Sequence, residues 1–248
     1  MPNGETQPIP VTSTGGYMRP VRYHEPEEAC GSAASWSPMS TAILGHLLLL
    51  LSMAAPRADG ARPADLFSEI FQRGLAKQKS ITSLRASFTE TTTSSLLVKP
   101  IVARGTIVAA PPALVRMTYT EPEPKVVVMD GRTLTILWPR RGEREQIDIR
   151  ETQKRIDRYF ANASLEELRR SFDISAAPDA ALRRADRVEM IPKRKPIKQG
   201  LEKLELWIDR ETTLLVQMRL WFPGGDQKTI ALSDITTNEP LARDVFQP

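Results

Sequence analysis

Leu114-Val115-Arg116-Met117-Thr118-Tyr119, followed by Val126-Val127-Val128-Met129-Asp130-Gly131-Arg132-Thr133-Leu134-Thr135-Ile136-Leu137-Trp138-Pro139, decides the fold. In the first run Val115, Met117 and Tyr119 share one face and Arg116 and Thr118 the other, the period of two that marks a half-buried strand. Asp130-Gly131 is the dipeptide that suits a two-residue type I′ turn, so residues 126–129 are expected to fold back on 132–138. That turn pairs Met129 with Arg132 and sets Val127 beside Leu134 and Lys125 beside Ile136. Prolines at 111, 112 and 139 bracket the unit.

Working outward, Leu66, Phe67, Ile70, Phe71 and Leu75 recur at intervals of three and four, which predicts an amphipathic helix over residues 64–78 with Pro63 near its start. Strands are expected at 83–93, 105–109 and 143–150. A helical stretch at 152–160 precedes Ser164-Leu165-Glu166-Glu167, which reads as a capping box. Residues 176–185 read as a loop. Four strands follow at 187–191, 201–209, 214–222 and 228–235, with Gly224-Gly225-Asp226 as a hairpin turn. In the second of these, Leu204, Leu206 and Ile208 form a greasy face set against Lys203, Glu205 and Trp207.

The first sixty residues differ in kind. Residues 1–38 are rich in Pro, Gly, Ser and Glu without periodicity, which predicts a disordered extension or a start assigned upstream of the true one; Met1, Met18 and Met39 are the alternatives. Residues 42–55 are apolar apart from Gly45, His46 and Ser52, shorter than the roughly 20 residues a membrane span needs. Small residues follow at Ala54, Ala55, Ala58 and Ala61. Residues 39–61 therefore read as a signal peptide with its cleavage zone, and 62–248 as one exported domain.

Cys30, His24 and His46 all precede that cleavage zone, and Cys30 precedes the apolar run, where it cannot be the lipidated cysteine of a lipoprotein signal. The domain from residue 62 thus has no thiol nucleophile, no His base and no Cys/His zinc site to offer. It carries 31 Lys and Arg against 25 Asp and Glu. This basicity suits acidic surfaces, including anionic lipid head groups. The dense cluster Lys193-Arg194-Lys195 with Lys198 belongs to no nucleic-acid module, and nucleic acid is not an expected partner.

From residue 62 onward the chain resembles the LolA family of periplasmic carriers of outer-membrane lipoproteins. The resemblance rests on Gly105, Pro112, Tyr119, Pro122, Asp130-Gly131, Leu134 and Pro139, then Leu206-Trp207-Ile208-Asp209, Leu232-Ser233-Asp234-Ile235, Asn238 and Phe246-Gln247-Pro248. It implies an α+β fold: one large antiparallel sheet curved into an open half-barrel, with helices covering the concave apolar face. It further implies a monomeric periplasmic carrier of acylated lipoprotein or another lipid, loaded by an inner-membrane release complex and unloaded to an outer-membrane acceptor. Family members often carry an Arg before the proline that matches Pro112, where it holds the helical cover; Pro111 stands there instead. Arg116 lies nearby but alternates away from Met117.

Each acyl methylene exposed to water costs about 0.8 kcal/mol, so a carrier needs a broad apolar hollow and no reactive group. The expected lining is Leu66, Phe67, Ile70 and Phe71 from the helix, Val115, Met117 and Tyr119 from the first strand, Val127, Leu134 and Ile136 from the hairpin, and Met218, Leu220 and Phe222 from a late strand. Alternating apolar residues also build ordinary sealed core, and the residues alone leave both readings open. No catalytic residue, metal or cofactor is expected. Two other classes stand beside the carrier: a periplasmic lipid-sensing regulatory module on the same half-barrel, and an enzyme using paired carboxylates such as Glu143 with Glu145 or Asp148 with Glu151.

Overall fold

Leu66 to Gln78 form helix α1 because Asp65 caps it, its carboxylate accepting from the Ser68 N–H at 2.9 Å, and because Phe67 and Ile70 fall on one buried face. In the computed structural model, which describes residues 65–248 apart from 162, α1 is followed by six strands. These are β1 (Leu84–Thr93), β2 (Ile101–Ala110), β3 (Leu114–Glu121), β4 (Lys125–Met129), β5 (Thr133–Trp138) and β6 (Glu143–Asp148). Helix α2 (Arg150–Ile156) runs into a π-turn at Asp157–Ala161, then α3 (Leu165–Ser171). The capping box of α3 is present: Ser164 Oγ accepts from the Glu167 N–H, and Glu167 Oε2 accepts from the Ser164 N–H at 2.7 Å. The remaining elements are β7 (Phe172–Pro178), β8 (Ala185–Pro192), the short α4 (Lys195–Lys198), β9 (Lys203–Asp209), β10 (Leu215–Trp221) and β11 (Gln227–Thr237). The extension expected over residues 1–38, the signal peptide and cleavage zone expected over 39–61, and Pro63 lie outside the described residues.

All eleven strands join one antiparallel sheet in the order β6-β5-β4-β3-β2-β1-β11-β10-β9-β8-β7. The sheet is open, with β6 and β7 at its edges. Its centre is made by the first and last strands, β1 and β11, which pair from Leu84 with Thr237 to Thr93 with Gln227. This is the α+β half-barrel with helices on one face that the resemblance implies.

Three expectations need correction. The β4–β5 hairpin pairs Met129 with Leu134 and Val127 with Ile136, two residues out of the expected register. The cause is Asp130, whose carboxylate accepts from the N–H groups of Arg132 and Thr133 at 2.8 and 2.7 Å and, with its own N–H donating to the Thr133 carbonyl at 3.2 Å, moves the turn to Gly131-Arg132. Because the shift is even, Val127, Leu134 and Ile136 keep their common face. Residues 176–185 are not all loop: 172–178 form edge strand β7, with Phe172, Ile174 and Ala176 turned to the core. Finally, the two faces of β9 do not contrast in burial as its alternation suggests. Glu205 and Trp207 are buried on the second face, the Glu205 carboxylate accepting from Trp221 Nε1 at 3.1 Å and lying 3.5 to 3.7 Å from Arg187, Lys203 and Arg219.

Arg116 points away from the core, as alternation requires, and donates to the carbonyls of Val245 and Gln247 at 3.3 and 2.9 Å. It fastens the C-terminal tail to the outer face. Asn238, at φ 66°, joins the end of β11 to the α1–β1 turn: its Oδ1 accepts from the Thr82 N–H at 2.8 Å and its Nδ2 donates to the Ser80 carbonyl at 2.9 Å.

Candidate functional site

The covered face of the sheet holds one continuous apolar cluster, and all thirteen residues expected to line a hollow belong to it. Phe67, Ile70, Val115, Met117, Tyr119, Val127, Leu134, Met218 and Leu220 are buried within it, and Leu66, Phe71, Ile136 and Phe222 pack against it partly exposed. Met117 and Leu134 have no exposed surface at all. The helices close over the strands through Phe67 and Ile70 of α1, Leu168 of α3 and Ile197 of α4, while the Phe160 ring of the π-turn meets Phe172 at 5.1 Å between centroids, tilted by 44°.

Helix α1 is held over this face by two charged fastenings. At its start Asp65 receives a short contact from Arg169 of α3, whose guanidinium also bonds Ser68 Oγ at 3.2 Å and lies 5.8 Å from the Phe67 ring. That guanidinium, with the Ser68 N–H, holds the Asp65 carboxyl below the usual range. Farther along, Arg73 donates to the Arg210 carbonyl at 3.3 Å and lies 3.5 Å from the buried carboxylate of Asp186, which Arg210 also grips at 2.7 Å. Arg169 thus ties the start of α1 to α3, and Arg73 ties its later turns to Asp186 and the Arg210 carbonyl.

Alternation in sequence did not reveal that the covered face also carries charge. Across one end of it run Lys228 of β11, Glu90 of β1, Tyr119 of β3 and Lys125 of β4. Glu90 is 1% exposed; one of its oxygens accepts from the Tyr119 hydroxyl at 3.1 Å and the other lies 3.2 Å from Lys228 Nζ. Lys125 Nζ sits 4.2 Å from the centre of the Tyr119 ring. Burial, reinforced by Glu90, pushes the Tyr119 phenol well above its ordinary pKa, so it stays a donor; burial pushes the Lys125 ammonium down. The only sequence signal was positional: Glu90 follows Phe88 by two, and Lys228 precedes Ile230 by two, which puts both on the apolar side.

Gly105 makes this arrangement possible. It stands opposite Phe88 on β1 and Tyr119 on β3, and a Cβ there would fall 2.0 Å from the Thr118 carbonyl oxygen. The missing side chain lets the two rings meet edge to face above it. Among the described residues no group of His, Cys, Asp and Glu side chains comes together as a metal site, and no helix is long and apolar enough to cross a membrane. The carboxylate pairs that the sequence offers for acid–base work do not converge on the covered face: Glu143 and Glu145 are exposed on β6, and Asp148 and Glu151 are held by Arg150 and Lys154.

The family of the outer membrane lipoprotein carrier protein LolA matches residues 79–248, from the turn after α1 to the C-terminal tail. The chain belongs to the LolA family. Its similarity to solved LolA-like structures is distant. A LolA superfamily protein from Nitrosomonas europaea is 12% identical, with 71% of this chain and 97% of that one covered and a TM-score of 0.36. A lipoprotein-sorting protein domain from Vibrio parahaemolyticus is 11% identical, covering 72% and 95%, with a TM-score of 0.40. The MucA/MucB complex of Pseudomonas aeruginosa matches at 17% identity over 67% of this chain and 55% of that one, with a TM-score of 0.41. No curated protein matches the chain. Within the LolA family the match covers every strand of the sheet and both partners of each pairing in the charged row.

Proposed function

We propose that this LolA-family chain is an exported, monomeric periplasmic carrier. Residues 39–61 direct export and are removed, and residues 62–248 shield the acyl chains of a lipoprotein, or of a related lipid, between an inner-membrane release complex and an outer-membrane acceptor. The observation that carries this reading is the single apolar face on which Val115, Met117, Tyr119, Val127, Leu134, Ile136, Met218, Leu220 and Phe222 lie beneath Leu66, Phe67, Ile70 and Phe71 of α1. Acyl chains enter by displacing helix–sheet contacts of the same chemical kind, so the exchange costs little hydrophobic energy. Met117 and Met218 suit such a surface because thioether side chains repack at low cost. The role is binding and release and calls for no catalytic group.

The test is the lipid that accompanies the protein when it is purified from the periplasm, identified by mass spectrometry. Acylated peptide supports lipoprotein carriage, and phospholipid or another long-chain product supports a divergent lipid carrier. Lipid-free protein that also fails to bind a fluorescent fatty-acid probe refutes both.

A further inference from the structure

Antiparallel order places the connections 94–100, 122–124, 139–142, 193–202 and 222–226 on one rim of the sheet, the same end as the Lys228–Glu90–Tyr119–Lys125 row. The first of these joins the central strands β1 and β2 and carries the most exposed large apolar side chains among the described residues, Leu96 at 90% and Val98 at 106%. Their exposure is built in: the Leu96 N–H donates to Ser94 Oγ at 3.2 Å and the Leu97 N–H to the Ser94 carbonyl at 3.1 Å, a tight turn that lifts the tip from the sheet. The other exposed large apolar residues are Val102, Ile191 and Leu182. Val102 is the second residue of β2 and Ile191 nears the end of β8, both at this rim; of these three only Leu182 lies at the opposite end.

Charge on this rim has one dominant sign. Lys99 adjoins the apolar tip, Arg140 and Arg141 lie to one side of it, and exposed Lys193, Arg194, Lys195 and Lys198 lie to the other. Against them the same connections carry only Glu123, Glu202 and Asp226. The hairpin connections of the opposite rim are close to balance, with Arg132, Arg183, Arg184 and Arg210 against Asp130, Asp179 and Glu211. Measured along the curve of the sheet at about 4.8 Å per strand, the two basic groups stand roughly 20 Å to either side of the apolar tip.

We propose that this rim docks the protein on an anionic phospholipid bilayer, with Leu96 and Val98 entering the head-group layer and the basic connections meeting lipid phosphates. A short apolar tip between cations spread over about 40 Å fits a broad, laterally mobile anionic surface better than a compact pocket on another protein. Each part alone gives weak attachment, and the two together give reversible docking, as a shuttle between membranes requires. Docking uses other side chains than the covered face does: Leu96, Val98 and the exposed basic residues lie outside the apolar cluster, while Ile197 and Leu201 of the 193–202 connection anchor that connection in it.

The test is co-sedimentation of the protein, as recovered from the periplasm, with vesicles of phosphatidylcholine alone and of equimolar phosphatidylcholine and phosphatidylglycerol. Binding is expected to the anionic vesicles, to fall with salt, and to weaken about tenfold in Leu96→Asp/Val98→Asp and in Lys193→Glu/Lys195→Glu. Thermal unfolding and fatty-acid-probe binding of both variants should match the parent, which keeps failure of docking distinct from failure of the carrier reading. Failure of the parent protein to bind anionic vesicles at low salt, or binding only to envelope membranes that retain their proteins, overturns the proposal. Equal binding to neutral vesicles, or undiminished binding by either variant, overturns it as well.

Discussion

The rings of Phe88 and Tyr119 meet edge to face, 4.9 Å between centroids and 76° between planes, across a strand that lies between theirs. They can do so only because that strand offers Gly105 at the crossing. Gly105→Ala drives a methyl group into the Thr118 carbonyl, a backbone atom that cannot turn aside. The substitution should cost about 3 kcal/mol or more, read as a lower midpoint in urea with an unchanged slope. A loss under about 0.5 kcal/mol would show that β2 and β3 are farther apart than described.

Glu90 and Lys228 should be worth more as a pair than singly. Lys228→Met takes an ion-pair partner from the buried Glu90 carboxylate, leaving it the Tyr119 hydroxyl and the charge of Lys125, and should destabilise by about 3 kcal/mol. Adding Glu90→Met to that variant should recover most of the loss. A double-mutant cycle from chemical denaturation measures the coupling, and additive losses would show that the two charges do not meet.

Met117 and Thr118 are neighbours in sequence but lie on opposite sides of the sheet. Met117→Asp should unfold the domain or lower its melting temperature sharply, since Met117 has no exposed surface and lies within the apolar cluster. Thr118→Asp, half-buried on the outer face, should cost about 1 kcal/mol or less. The gentler Met117→Ala tests the carrier reading: probe affinity should change while the fold survives a loss of about 2–5 kcal/mol. Equal effects of the two Asp substitutions would contradict the register of β3.

The fastening of α1 by Asp65 should weaken in acid. Its pKa is lowered in the folded protein, so its contribution is complete above the unfolded value of about 3.9 and is lost as pH falls through the lowered folded value. Because Asp65 is half exposed the effect on global stability is small. The sensitive reading is amide exchange in residues 66–71, which should accelerate in Arg169→Ala at neutral pH and in the parent protein only below the ordinary carboxylate range. Unchanged exchange in Arg169→Ala would mean that packing alone holds the helix.

How far the sequence could be read is clearest at β3 and β4. Val115, Met117 and Tyr119 declared their face by alternation, and that face proved buried. The hairpin beyond them kept its face but not its register, because a carboxylate at Asp130 that bonds two following N–H groups looks the same in sequence as one that sits in a two-residue turn. Strand β7 was passed over because only Phe172 and Ile174 stand out among small and polar neighbours, and its edge position asks little more of it. Glu90, Lys228 and Glu205 were illegible for another reason. Burial of a charge depends on a partner that tertiary structure alone supplies, here Tyr119, Arg187 or Arg219, none of which is local to it.

The pairing of β1 with β11 joins residues some 150 positions apart at the middle of the sheet. A ribosome, or a translocation pore threading the chain from its N-terminus, therefore delivers β1 long before the strand that completes its pairing. Until residues 227–237 arrive, only local hairpins on either flank can form, and the apolar side chains between them lack a finished surface to settle on. Such a topology delays cooperative folding until synthesis or passage is almost complete, so the chain remains threadable for as long as threading is needed.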